Sequence, residues 1–447
     1  MDISVAAIAS IVALLIVVII SCVNEDLNVG FLAIGFAIIV GGLFANTSGA
    51  KIMGYFPVGL FMILTGVTFL FGMAQTNGTM EKLTAYSVRL CGGNAALIPV
   101  MIFVLTTFIT TIGPGNIAGT ALMAPVAMAI ATQVKMPAFL MTLLVVGAAN
   151  GAAFSPFAPT GIISNGIIAK MAPALGITDI NALAWKIHFN SELAQGFVNI
   201  GGFFVMGGWA WIKNQRGATL NIDELAPKPE PFDKHQKLTL LMVAILILLV
   251  VLPGLPFMKG VFPKNIRLLL SNVGSIAFML SCVLMLTGSG DSKKAVKVMP
   301  WGVMMMVCGV SVLIEVMDKA GGLNALVKMI GAVSNPTTVN GWLGLITGII
   351  SAYSSSSGVV MPMFLPMTPG LIQEVGGGSA IAIISSINIG SHLVDTSPLS
   401  TLGALCIACA GEHEDKNKLF RKLLIWGLAM SVVGAIVCYV FFGILGL

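Results

Sequence analysis

The residues best suited to chemistry in this chain are small and mostly neutral, and they gather at four breaks in otherwise apolar sequence. The breaks are Gly113–Asn116 (GPGN), Ser155–Thr160 (SPFAPT), Ser354–Gly358 (SSSSG) and Asp395–Thr401 (DTSPLST). A break inside lipid bares backbone N–H and C=O groups at several kcal/mol each. It is tolerated only within protein or beside a water-filled cavity. The helix restarting at Ile117 would turn its free N–H groups and positive dipole end toward such a cavity, which suits an anion. None of the breaks holds a lysine or arginine. An anionic ligand would therefore meet helix N-termini, hydroxyls and amides, with bound cations offsetting its charge. Candidate ligand contacts are Gly115 and Asn116, Pro159 and Thr160, Ser355, Ser356 and Ser357, and Pro398, Ser400 and Thr401. Candidate oxygen donors to a cation, Na⁺ being a hard ion that prefers oxygen, are Thr111, Asn116, Asn150, Ser354, Asn388 and Asp395.

Each candidate has a plainer alternative. A Ser or Thr within an apolar span is commonly satisfied by the carbonyl one turn earlier, although four serines in a row at a break are harder to dismiss. Asn150 and Asn388 could line a site or tie helices together. Asp395 is an acid at membrane depth, a functional group by default. It could ligate a cation, carry a proton, pair with His392, or cap a helix if the span ends early. The Gly-Pro-Gly-Asn break could be a surface turn between two ordinary spans.

The elements that must position these residues follow from composition. Of 447 residues 57% are hydrophobic and 9% charged, against about 25% charged in soluble domains. That makes an integral membrane protein of spanning helices rather than barrel strands. Residues 1–4 lack the positive region of a cleavable signal, so the first apolar run is expected to be retained. The net charge of +5 is spread over loops and implies no nucleic-acid partner. The seven cysteines, Cys406 and Cys409 among them, read as buried apolar groups, and the 26 methionines as packing. With four histidines, of which His188, His235 and His413 are expected in loops, and no HExxH or GxSxG, a membrane-embedded enzyme is disfavoured.

Expected spans are 4–22, 28–45, 56–74, a hairpin at 95–131, a broken helix at 137–168, and 191–212. After a polar, proline-bearing linker at 213–236 come 237–255, 267–287, 300–317, a second hairpin at 341–373, a second broken helix at 379–410, and 421–445. Mixed stretches at 75–93 and 318–332 read as surface amphipathic helices. The halves repeat: Pro57 lies over Pro300, Gly59 over Gly302, Gly66 over Gly309, Asn116 over Ser357 and Pro159 over Pro398. Placing the N-terminus outside puts most of the 23 basic residues and the 213–236 linker in the cytoplasm. The expected fold is thus an all-α polytopic membrane protein. Residues 1–212 and 237–447 form two inverted repeats of five crossings each, with two re-entrant helical hairpins and two broken helices. Matched breaks in inverted repeats point to the binding site of a secondary transporter.

Over residues 56–165 the stretches FPVGLFMILTGVTFLFGMAQTNGTMEKL, VRLCGGNAALIPVMIF, GPGNIAGTALMAPVA and GAANGAAFSPFAPTGIISNGIIAK resemble the MatC-type dicarboxylate (malonate) carriers. The two hairpins and two broken helices resemble the wider ion-transporter superfamily, which includes sodium-coupled dicarboxylate symporters. That resemblance implies a homodimer with a fixed scaffold and an elevator-like moving part, and one substrate carboxylate at each hairpin tip with Na⁺ beneath. The family's Ser-Asn-Thr tip signature reads Gly115-Asn116-Ile117 here, keeping only the Asn, and Ser356-Ser357-Gly358 at the second tip. The expected function is import of a small dicarboxylate, malonate-like or C4, across the inner membrane, both termini outside. The rivals are a cation/proton antiporter using Asp395, a monocarboxylate carrier, and a channel.

Overall fold

The computed structural model describes residues 4–24, 27–89, 95–215, 228–251, 263, 266, 270, 272–411 and 413–447. Among them the chain is entirely helical. Residues 216–227 of the linker fall outside the described residues, as do 90–93, 252–255, 267–269 and 271 of the expected elements.

The first half runs α1 (Val5–Val23), α2 (Val29–Phe44), α3 (Gly49–Met53), α4 (Val58–Thr76) and α5 (Thr79–Arg89). It continues with α6 (Ile98–Thr111), α7 (Gly115–Gln133), α8 (Ala138–Ala152), α9 (Pro159–Met171), α10 (Ile180–Phe203) and α11 (Trp209–Asn214). The second half runs α12 (Lys234–Val251), α13 (Val273–Leu286), α14 (Ser292–Val298), α15 (Trp301–Lys319), α16 (Gly322–Gly331) and α17 (Val339–Ser351). Next come a π-helical turn (Ser356–Val360), α18 (Met361–Phe364), α19 (Thr368–Glu374), α20 (Ala380–Leu393), α21 (Thr401–Cys409) and α22 (Lys416–Cys438).

Packing is reciprocal between the halves. Helix α2 lies on α15 while α4 lies on α13, and α10 meets α20 while α22 meets α8. At both of the first two crossings glycines bring backbones together. A Cβ on Gly66 would sit 2.5 Å from the Gly274 carbonyl, and one on Gly309 would collide with the Gly30 carbonyl. Close approach of this kind is how helices associate in lipid, where burying apolar surface gains little. Outward faces stay apolar: Val100, Val104 and Phe108 on α6 and Ile425, Val432 and Ile436 on α22 are all exposed. Four helical stretches are long and apolar enough to cross a membrane, Gly49–Thr76, Gly115–Gln133, Trp301–Lys319 and Lys416–Ile444.

Three expectations need correction. The span expected at 191–212 begins eleven residues earlier, at Ile180, because Asp179 caps the helix by accepting from the Ala182 N–H at 2.9 Å. His188 therefore lies inside α10, buried and edge-on to Trp185. His235 belongs to the first turn of α12 rather than to a loop.

Replacing Gly66 with leucine forces a branched side chain into the α4–α13 contact. Overpacking of this kind costs about 1–3 kcal/mol or more. Thermal unfolding of purified Gly66→Leu in detergent is expected several degrees below wild type, while Val100→Leu on the outer face leaves the midpoint unchanged.

Candidate functional site

Four interruptions of helix meet around one cavity of about 510 Å³, within the roughly 300–1,000 Å³ usual for small-molecule sites. The first interruption separates α6 from α7. Gly113 and Gly115 take φ of +140° and +81°, a region that side chains disfavour. A Cβ on Gly113 would run into the Phe71 ring of α4, and one on Gly115 would lie 2.8 Å from Pro159. The turn therefore rests directly on a neighbouring helix and on the second interruption. At its tip the Asn116 side chain accepts from the Ile117 N–H at 3.1 Å, closing one of the free donors of α7.

The third interruption separates α17 from the π-helical turn at Ser356–Val360. Such turns recur at functional sites. Ser355 Oγ accepts from the Gly358 N–H at 3.0 Å and so starts the returning helix. Ser354 reaches across to Ser21 of α1, Oγ to Oγ at 3.0 Å.

The remaining two interruptions split the α8–α9 and α20–α21 pairs. Proline at the first position of α9 suits a helix start, since its missing N–H would be unpaired there anyway. Ser155 Oγ donates to the Thr111 carbonyl at 2.7 Å, pinning this break to the end of α6. At the other break α20 ends at Leu393 and tightens into a 3₁₀ turn, Val394–Thr396.

Most of the expected residues line the cavity: Gly115, Asn116, Pro159, Thr160, Ser354, Ser355, Ser356, Ser357, Asp395, Ser400 and Thr401. Pro398, Thr111, Asn150 and Asn388 do not. The two asparagines stand one layer behind it. Asn116 Nδ2 donates to Asn150 Oδ1 at 3.1 Å, and Asn150 Nδ2 donates to the His392 carbonyl at 2.9 Å. Asn388 Nδ2 donates to Ser164 Oγ of α9 at 2.9 Å. Of the two roles open to them in the sequence, tying helices together is the one these contacts fill.

Asp395 does not pair with His392. With α20 ending at Leu393, the tightened turn carries its carboxylate to the second tip, where Ser356 Oγ donates to Oδ1 at 2.8 Å. Ser356 is bonded in turn to Ser351, Oγ to Oγ at 2.6 Å. Thr160 and Ser357, from opposite halves of the chain, lie 3.3 Å apart, Oγ1 to Oγ. Among its described lining residues the cavity holds no Lys, Arg or His, and Asp395 is its one carboxylate. Phe71, Met80, Val303 and Met306 close its apolar side.

The stretch ahead of the second break has a counterpart among known families. Residues 3–153 match the family model described as dicarboxylate carrier protein MatC N-terminus. The fold of the chain is shared with two solved transporters. The YdaH transporter of Alcanivorax borkumensis superposes with a TM-score of 0.55 at 18% identity, over 88% of this chain and 87% of that one. MtrF of Neisseria gonorrhoeae, from a class of antimetabolite efflux pumps, superposes with a TM-score of 0.58 at 13% identity, over 88% of this chain and 82% of its own. No curated protein matches the chain in sequence. At identities of 18% and 13% these likenesses show a shared fold.

Sequence reasoning about this protein missed two groups. His392 was considered only as a partner for Asp395, yet it is fully buried, edge-on to Phe154, and bonded on all sides. The second group lies on α10, where His188, Glu192, Gln195 and Asn199 each keep one polar atom without a hydrogen-bond partner. Gly147 and Gly151 of α8 leave the room for them: a Cβ on Gly151 would lie 2.7 Å from Glu192 Oε2. The helical i, i+4, i+7, i+11 spacing of the four was readable. It went unread because Glu192 stood at the edge of the expected span.

A carboxyl at such depth in an apolar bundle costs enough that it marks function by default. Glu192→Gln keeps the shape and removes the ionisable group. It is expected to reach the membrane at wild-type level while uptake falls about tenfold, the scale of one lost hydrogen bond involving a charged group. Unchanged uptake would make the carboxyl a packing group.

Proposed function

We propose that this carrier is a secondary active transporter that imports a small dicarboxylate, malonate-like or C4, together with Na⁺. The observation that carries the reading is the meeting of four helix interruptions at one cavity that lacks any basic side chain. An anion there would depend on backbone N–H groups and the Asn116 amide at the start of α7. The dipole of that helix adds about 0.3–1 kcal/mol near its end, more where partly buried. Two carboxylates brought into such a space need counter-charge. The oxygen-rich second tip, with Asp395, Ser356 and Ser351 hydrogen-bonded in a row, has the donor chemistry of a site for a hard cation.

In this reading the halves are inverted repeats in the inner membrane, with both termini outside and the 213–236 linker in the cytoplasm. The two hairpins and two broken helices would move as one body past a scaffold built on the α2–α15 and α4–α13 contacts. The scaffold would form the interface of a homodimer. Coupling follows if the loaded cavity, with anion and cation both present, crosses more readily than the half-loaded one. The match to the MatC description over residues 3–153 supports a dicarboxylate over a monocarboxylate.

Uptake of labelled malonate into proteoliposomes tests the reading. It is expected to require Na⁺, to collapse when choline replaces it, and to be competed by malonate and succinate but not acetate. Asn116→Ala is expected to abolish uptake without changing thermal stability. Acetate competition, or uptake indifferent to Na⁺, would turn the assignment toward a monocarboxylate carrier or a proton-coupled one.

A further inference from the structure

His392 sits at a junction between the two tips. It is the thirteenth residue of α20, as Asn150 is of α8, and each bonds the residue at the tip of its own half. Asn150 receives Asn116 Nδ2 at 3.1 Å, and His392 Nε2 lies 3.2 Å from Ser357 Oγ. Asn150 Nδ2 then donates to the His392 carbonyl, joining the two arrangements.

The proton positions follow from the partners, since they are assigned by bonding rather than observed. His392 Nδ1 lies 2.9 Å from the Asn388 carbonyl, which can only accept, so the ring proton is on Nδ1. Ser391 Oγ also lies 2.9 Å from Nδ1, but its hydrogen goes to the Asn388 carbonyl at 3.0 Å, so it meets the ring proton as an acceptor. In the neutral ring Nε2 is then a lone pair, and Ser357 must donate to it. With that hydrogen committed, the bond between Thr160 and Ser357 has Thr160 as donor. Both hydroxyl hydrogens are thus spent inside the protein, and both oxygens are left to face the cavity with lone pairs. Ser356 behaves alike, its hydrogen going to Asp395. The first tip differs: Asn116 Nδ2 carries two hydrogens and only one is used by Asn150.

We infer that His392 is a positioning residue that polarises the cavity. By fixing Ser357 as a donor to its ring, it makes the second tip and Thr160 a surface of acceptors, facing a cation, while the first tip keeps its donors for the anion. This rests on the Na⁺-coupled reading above and goes beyond it. The two tips, alike in the repeat, do different work, and a ring that stands one layer behind the cavity decides which. Without the ring acceptor the Ser357 hydroxyl is free to rotate, and its oxygen loses its fixed aim.

The test is a double-mutant cycle on the purified full-length carrier, read as Na⁺-dependent thermal stabilisation against choline. Ser357→Ala and His392→Leu are each expected to raise the half-saturating Na⁺ about fivefold, the scale of one hydrogen bond. The double variant should show no further rise. His392→Asn, too short to reach Ser357, should behave as the leucine variant does and provides the cycle if leucine is not tolerated at so buried a position. His392→Gln, which restores an acceptor, should recover most of the affinity. A separate fivefold rise from His392→Leu or His392→Asn in the Ser357→Ala background, or a wild-type Na⁺ response in the His392 variants, overturns the inference. If wild type shows no Na⁺ stabilisation, the cation reading falls with it. If Na⁺ stabilises wild type and the cycle couples but labelled malonate is not taken up, only the dicarboxylate assignment fails.

Discussion

An interrupted helix inside an apolar bundle leaves backbone donors and acceptors that neither lipid nor hydrocarbon side chains can satisfy, and among the described residues four such interruptions meet at one cavity. The structure answers each one locally. Asn116 closes an N–H of α7, Ser355 closes one at the second tip, Ser155 reaches the end of α6, and Ser397 Oγ accepts from the Leu399 N–H at 3.2 Å. What remains unsatisfied faces a shared cavity. Because the groups at the breaks are mostly neutral dipoles, with Asp395 the one carboxylate among the described lining residues, the site can receive an anion without a lysine or arginine.

The glycine crossings serve the same constraint from outside. Reciprocal close contacts at Gly66–Gly274 and Gly30–Gly309 hold α4 on α13 and α2 on α15 by backbone approach. Phe71, on α4, sits where a side chain at Gly113 would have to go. The first tip is thereby fitted to α4 by shape alone, with no ion pair between them. A contact made only of shape can be slid past and remade, which a network of buried charges would resist.

Much of this was legible because the signals are ones that membranes make conspicuous. Glycine, proline and runs of serine interrupting apolar sequence mark where helices stop, and both Asn116 and Ser357, matched in the sequence, line the cavity. The polar layer behind the cavity was less readable. Asn150 and Asn388 were visible as residues, but which way each side chain turned depended on partners more than two hundred positions away. Asp395 and His392 are three apart, a spacing that pairs side chains on a continuous helix. The end of α20 at Leu393 separates them, two residues before the Asp395–Thr401 break that the sequence marks. Helix α10 was misjudged because His188 and Glu192 interrupt its apolar count while facing the packed side rather than water.

The account depends on breaks from opposite halves meeting in the folded protein. Oxidative cross-linking of Thr160→Cys with Ser357→Cys, in a chain whose native cysteines are replaced by serine or alanine, measures that most directly in membranes. These side chains lie within 3.3 Å of each other, so the pair should form an intramolecular disulfide rapidly, and neither single variant should. A pair that stays reduced under oxidant, in membranes where the same carrier still takes up its substrate, would contradict the account.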